Sequence, residues 1–219
     1  MPNLEQAFQQ LPRVSVIGGG LKISDYIPID LSVTNAELQD ADIGEYILNH
    51  ISKNRGRAAI GGYNEQRNLY RDSELFVDEI AQNERDIHLG IDIWIEAGTP
   101  VLAALDGIIH SFNYNPGKGN YGPTIILEHE ILGDRCYTLY GHLSAESLDD
   151  IELGDKIKAQ SQIGTLGSEM ENGGYLPHLH FQIIKDLQDN FGDFPGVCSK
   201  QDQSFYLENC PDPNLLLKL

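Results

Sequence analysis

A chain of 219 residues, 41% of them hydrophobic, is long enough for one sizeable domain with extensions or for two small domains, and too apolar for the disordered class. Its formal charge of −18 argues against unaided binding to nucleic acid or to an anionic membrane surface, which needs clustered Lys and Arg; Arg67, Arg71 and Arg85 are scattered among acids. Cys136, Cys198 and Cys210 are odd in number and form no CxxC pair, which argues against a disulfide framework or a Cys-type zinc site and favours thiols in a reducing compartment.

The N-terminus carries no basic segment followed by a long apolar run, so a cytoplasmic location is expected. Leu4–Leu11 has the spacing of an amphipathic helix, Gly18-Gly19-Gly20 marks a turn, and Tyr26–Leu31 reads as extended. Thr34 or Asn35 can cap a helix running from about Ala36 to Lys53. His50, beside Ile47 and Ile51 on that helix, reads as a packing histidine. Residues 1–60 are therefore expected to form a partly helical N-terminal extension.

From Gly61 the pattern changes to short β-prone runs: His88–Ile95, Val101–Ala103, Gly107–Asn113, Thr124–His129, Cys136–Leu143, Lys156–Ile157 and His180–Ile184. Turn signals such as Asn115-Pro116-Gly117, Gly133-Asp134 and Asn172-Gly173-Gly174 fall between them. The spacing predicts a mainly β domain over 61–185, an antiparallel sheet with sandwich or barrel-like packing. Residues 186–219 read as an irregular tail whose Leu215-Leu216-Leu217 end docks on apolar surface.

The histidines carry the chemistry. On a strand, His178 and His180 face one side, about 7 Å apart at the backbone. A flat strand would hold His88 and Asp92 about 13 Å apart, but Gly90 lets the chain bend between them. Two imidazoles and one carboxylate make a three-ligand zinc site with one position left for a water. The same residues are also readable as a strand-edge pair (His88 and Asp92), a turn cap with Ser144 (His142) and two backbone-bonded imidazoles (His178 and His180). His129-Glu130 is followed by Ile131, Leu132 and Gly133, which excludes an HExxH helix.

The words around these histidines occur in a set order: His88-Leu89-Gly90-Ile91-Asp92, Gly98-Thr99-Pro100-Val101, Asp106-Gly107, Tyr140-Gly141-His142-Leu143-Ser144, Gly154-Asp155-Lys156-Ile157 and His178-Leu179-His180-Phe181. Over about residues 86–185 the chain resembles the lysostaphin-type (LytM-like) zinc metallopeptidases, whose best-known members cut peptidoglycan cross-links. The resemblance implies one zinc per chain held by His88, Asp92 and His180, with His178 as general base and His142 as a second catalytic histidine at the oxyanion. It implies a zinc-dependent peptidase acting on a peptide or peptidoglycan-like substrate by metal-activated water, and no nucleic-acid or membrane partner is expected. His129 looks structural, His110 reads as a solvent-facing strand residue, and Tyr63 or Tyr70 is a candidate phenol donor. From Gly61-Gly62-Tyr63-Asn64-Glu65 and Arg67 onward, the chain also looks like peptidase-like modules joined to aminotransferase and kinase-like domains, whose substrate need not be murein. Two other readings stand beside the peptidase. One is a non-catalytic or occluded zinc-containing binding module, its groove plugged by residues 1–60 or the tail, with a carboxamide such as Asn64 on the metal. The other is a cytoplasmic hydrolase of a small amide metabolite.

Overall fold

The computed structural model describes residues 3–38, 41–68 and 84–219; Tyr70 and Arg71 lie outside them. Among the described residues twelve strands are formed: β1 (Tyr26–Pro28), β2 (Ala58–Gly61), β3 (Arg85–His88), β4 (Ile91–Trp94), β5 (Pro100–Leu102), β6 (Gly107–Asn115), β7 (Gly122–Ile131), β8 (Asp134–Gly141), β9 (Lys156–Ile157), β10 (Gln162–Thr165), β11 (His178–Ile184) and β12 (Val197–Ser199). Eight of them make one sheet in the order β1-β2-β4-β11-β8-β7-β6-β9, antiparallel except for the β1–β2 pair. The fold is mainly β, as the turn spacing leads one to expect. Among the described residues no helix is long and apolar enough to cross a membrane.

The alternation of side chains sorts the sheet into two buried faces. Ile91, Ile93, Leu179, Phe181 and Ile183 join the largest core cluster, together with Phe8, Val101 and Leu216. On the opposite face two smaller clusters flank the middle strands. One holds Leu139, Ile184, Phe194 and Cys210; the other holds Ile29, Leu31, Ile47 and Trp94. The even-numbered residues of β4 and β11 lie on this second face and are all buried.

Three elements differ from expectation. The long helix over 36–53 is divided. Asn35 Oδ1 accepts from Glu37 N at 3.0 Å over a short 3-10 turn, Ala36–Leu38, and α2 (Ile43–Lys53) starts anew after α1 (Leu4–Gln10) with Asp42 as its cap. Asp42 Oδ1 accepts from Glu45 N at 2.8 Å, which supplies the first-turn N–H with an acceptor. The run His88–Ile95 is broken at Leu89-Gly90, between β3 and β4. The tail is more ordered than expected: β12 pairs with β3, and α3 (Gln203–Asn209) and α4 (Asn214–Leu217) follow. Leu216 and Leu217 are buried, and Val14 N donates to Leu216 O at 3.0 Å, so the two ends of the chain pack together.

Strands β1 and β2 come from the segment read as an extension, yet β2 pairs with β4 in the central sheet. Burying Ile29, Leu31 or Ile47 contributes about 1.5–3 kcal/mol each. Deleting residues 1–60 should therefore abolish the cooperative thermal transition and red-shift the emission of Trp94, the single tryptophan, which packs in that cluster. A truncated protein with wild-type emission and a sharp transition would contradict this account.

Candidate metal centre

Strand register brings the site together. Gly61 faces Asp92, Asp92 faces His180, and His180 faces Gly141 across β2, β4, β11 and β8. Directly opposed residues on one sheet face have their Cβ atoms about 4.5–5.5 Å apart, so the carboxylate and the second histidine of HxH meet without any loop to arrange them. His88 arrives from the other side of the Leu89-Gly90 break. Gly90 is required here, because a Cβ would sit 2.7 Å from the His180 ring. His142 follows the end of β8 with φ +63, a left-handed conformation uncommon for a residue with a side chain and frequent at functional sites. Its backbone is tied there by His142 N to Tyr121 O at 3.0 Å and Gly167 N to His142 O at 2.9 Å.

His88, Asp92 and His180 are buried and offer ligand atoms within 4.8 Å of one another. Asp92 Oδ1 lies 3.2 Å from His88 Nε2 and 3.1 Å from His180 Nδ1, and the two nitrogens are 2.9 Å apart. The outer nitrogens define the tautomers. His88 Nδ1–H donates to Gly62 O at 2.9 Å. Gln182 Nε2 donates to Pro195 O and to Cys210 Sγ, which leaves Gln182 Oε1 to accept from His180 Nε2–H at 2.9 Å. Neutral His88 and His180 therefore turn bare nitrogens toward one carboxylate oxygen. Three lone-pair donors at this spacing repel each other unless a cation lies among them, so the donor set fits a metal ion, and the N/N/O chemistry suits zinc.

His178 and His142 complete the cluster. His178 Nδ1–H donates to Leu176 O and His142 Nδ1–H to Asn172 O, each at 2.8 Å, so both present Nε2 to the site. The His178 ring stacks on Trp94 at 5.6 Å and lies 4.2 Å from the His142 ring, with His178 Nε2 3.9 Å from Asp92 Oδ1. All five residues line one cavity of about 710 Å³, between the Ile47–Trp94 cluster and the tail.

Burial dominates the protonation states. It pushes His88 down to about 4 against the pull of Asp92, and the Arg67 charge adds to the effect. Burial also lowers His178 and, reinforced by neighbouring histidines, takes His142 well below the ordinary imidazole range. For Asp92 burial opposes ionisation, but the adjoining His88 and Arg67 outweigh it and hold the carboxyl well below its usual range.

The other singled-out residues lie elsewhere. Asn64 is not at the cluster: its Oδ1 accepts from Gln203 Nε2 at 2.7 Å. Tyr63 donates its hydroxyl to Cys210 O at 2.7 Å and packs on the core. His129 is buried, its Nδ1–H donating to Asp106 O and its Nε2 lying 2.7 Å from Thr138 Oγ1. His50 lies against Pro28 O. His110 is half-buried rather than solvent-facing, because the Tyr137 and Phe191 rings close over it. Sequence reasoning missed Arg67, Gln182, Tyr121 and Tyr175, which line or support the site. Gln182 carried a signal as the next even position after HxH on the same strand face, and Arg67 stood in the stretch from Gly61 that resembles peptidase-like modules without a role attached.

A mainly antiparallel β domain thus carries a buried two-imidazole, one-carboxylate cluster of the kind that could hold a metal ion. Residues 86–190, a little under half of the chain, match the model of peptidase family M23. Among curated relatives, peptidoglycan DD-endopeptidase ShyC of Vibrio cholerae is 33% identical over 97 residues, 44% of this chain and 20% of that protein. Glycyl-glycine endopeptidase ALE-1 of Staphylococcus capitis is 37% identical over 106 residues, 47% of this chain and 26% of that one. The chain thus spans about a fifth to a quarter of these relatives. The catalytic domain of lysostaphin from Staphylococcus simulans superposes with a TM-score of 0.39 at 28% identity, covering 55% of this chain and 80% of that one. The match to this family and the His-Asp-His group fit a metallopeptidase.

The lowered imidazoles make stability depend on pH. Between the reference value of 6.5 and about 4, the unfolded chain protonates His88 while the folded chain does not, so stability falls as pH drops through that window. For His88 alone the loss at pH 5 relative to pH 7 is roughly 2 kcal/mol, and buried His129, His142 and His178 shift in the same direction. Urea unfolding of the metal-free protein at pH 7 and pH 5 measures it; equal free energies would overturn the neutral-imidazole assignment.

Proposed function

We propose that this protein is a zinc-dependent peptidase that cleaves a peptide bond, with a peptidoglycan cross-link as the substrate class. The observation that carries the reading is the convergence of His88 Nε2, His180 Nδ1 and Asp92 Oδ1 as unprotonated donors beside a second histidine pair in one cavity. His88, Asp92 and His180 would hold one zinc per chain, which when bound supplies the Lewis-acid chemistry of amide hydrolysis. His178 accepts a proton at Nε2 and returns it to the leaving amine, its ring fixed by Leu176 O and Trp94. His142 turns the same atom to the site and stands beside His178 as the second catalytic histidine. Residues 61–185 carry this chemistry, while 1–60 and 186–219 wall the cavity. The substrate class follows the named activities of the Vibrio and Staphylococcus relatives. The acidic chain favours a peptide over nucleic acid, and three buried free thiols support a cytoplasmic compartment.

Substituting His88, Asp92 or His180 by Ala should strip zinc, measured by metal analysis after reconstitution and dialysis. The His178→Ala and His142→Ala variants should keep zinc and lose turnover of cross-linked peptide fragments by roughly two to four orders of magnitude. Zinc retained in His180→Ala, or lost in His178→Ala, would reverse the roles given to the HxH pair.

A further inference from the structure

One oxygen of Asp92 faces the histidines; the other does not. Asp92 Oδ2 accepts from Arg67 Nη1 at 2.6 Å, while Arg67 Nε donates to Glu65 Oε2 at 2.5 Å. Glu65 is itself held, its Oε1 accepting from Leu31 N at 3.1 Å. The side chains of Arg67 and Asp92 are 1% and 4% exposed, so this pair is screened little by solvent. The guanidinium also lies 5.6 Å from the centre of the Trp94 ring. Room for it depends on Gly62, at φ +106, where a Cβ would fall 1.7 Å from Arg67 Nη2. The same glycine supplies the carbonyl that orients His88. Segment 61–68 precedes the matched family segment, yet it contacts two of the three candidate ligands.

We infer that Arg67, set by Glu65, is a positioning residue that occupies Asp92 Oδ2 and so presents Oδ1 alone to the metal. This rests on the metallopeptidase reading. A carboxylate free at both oxygens can rotate or bind an ion through both, which changes coordination number and the charge donated. A planar guanidinium fixed at Nε by Glu65 and at Nη1 by Asp92 removes that freedom, and lysine cannot reproduce the fork. The chain Leu31–Glu65–Arg67–Asp92 also connects the N-terminal segment to the metal centre through hydrogen bonds.

The test uses full-length Arg67→Lys and Glu65→Gln, with zinc affinity measured by chelator competition and ligand geometry by the visible absorption of the cobalt-loaded protein. Arg67→Lys keeps the charge and should weaken zinc about 10–100-fold with an altered cobalt spectrum. Glu65→Gln should move both readouts the same way by less. Variants that bind zinc within twofold of wild type and give superimposable cobalt spectra would overturn the inference and leave the peptidase reading intact. Should Arg67→Lys fail to fold, Glu65→Gln decides by the same two readouts. Wild-type protein that takes up no zinc would overturn both.

Discussion

The organising constraint of this molecule is a concentration of unprotonated donors in a place with little water. A buried carboxylate oxygen and two bare imidazole nitrogens lie within about 3 Å of each other, and without a cation this arrangement costs free energy. The contacts around it serve to keep it intact. Carbonyls of Gly62, Leu176 and Asn172 and the amide oxygen of Gln182 each take the outer N–H of one histidine. No ring can then flip its lone pair away without leaving a buried carbonyl unpaired, at about 1–3 kcal/mol. Four tautomers are thus fixed mostly by backbone atoms, which a side-chain substitution does not remove.

The sheet explains why such precision costs little extra structure. Period-two alternation places Ile91, Ile93, Leu179 and Phe181 in the main core while sending Asp92, His178 and His180 to the other face. A slip of one residue would exchange the two sets and bury the charges in the apolar core, so packing enforces the register that assembles the site. The second face is then closed from two directions, by the α2–Trp94 cluster and by the tail cluster around Phe194 and Cys210. These covers exclude water and push the imidazoles toward their neutral forms.

Much of this was legible in the sequence because it is local. HxH on a strand defines a shared face, Gly90 announces a bend, and the ordered words around them select a family. What stayed hidden depends on partners far apart in the chain. The pairing of Arg67 with Asp92 spans 25 residues, and that of His180 with Gln182 acquires meaning only through Pro195 and Cys210. Asn35 was a sound cap by type, yet Asp42 starts the helix because it meets the Glu45 amide. The tail read as irregular because its helices are short and weakly patterned; burial of Leu216 and Leu217 against the N-terminal helix region stabilises what local propensity does not.

The row Gly61–Asp92–His180–Gly141 has a consequence for how the protein comes into being. Asp92 and His180 are 88 positions apart, and β4 is flanked in the sheet by β2 from one end of the chain and β11 from the other. Loop-closure entropy must be overcome before these strands meet, so their pairing belongs to the slow, non-local part of folding. A nascent chain that has emerged only as far as β8 owns one imidazole and one carboxylate of the cluster but not the third donor. The three-donor group is thereby postponed until β11 docks, and before then the chain holds no assembled site for a cation.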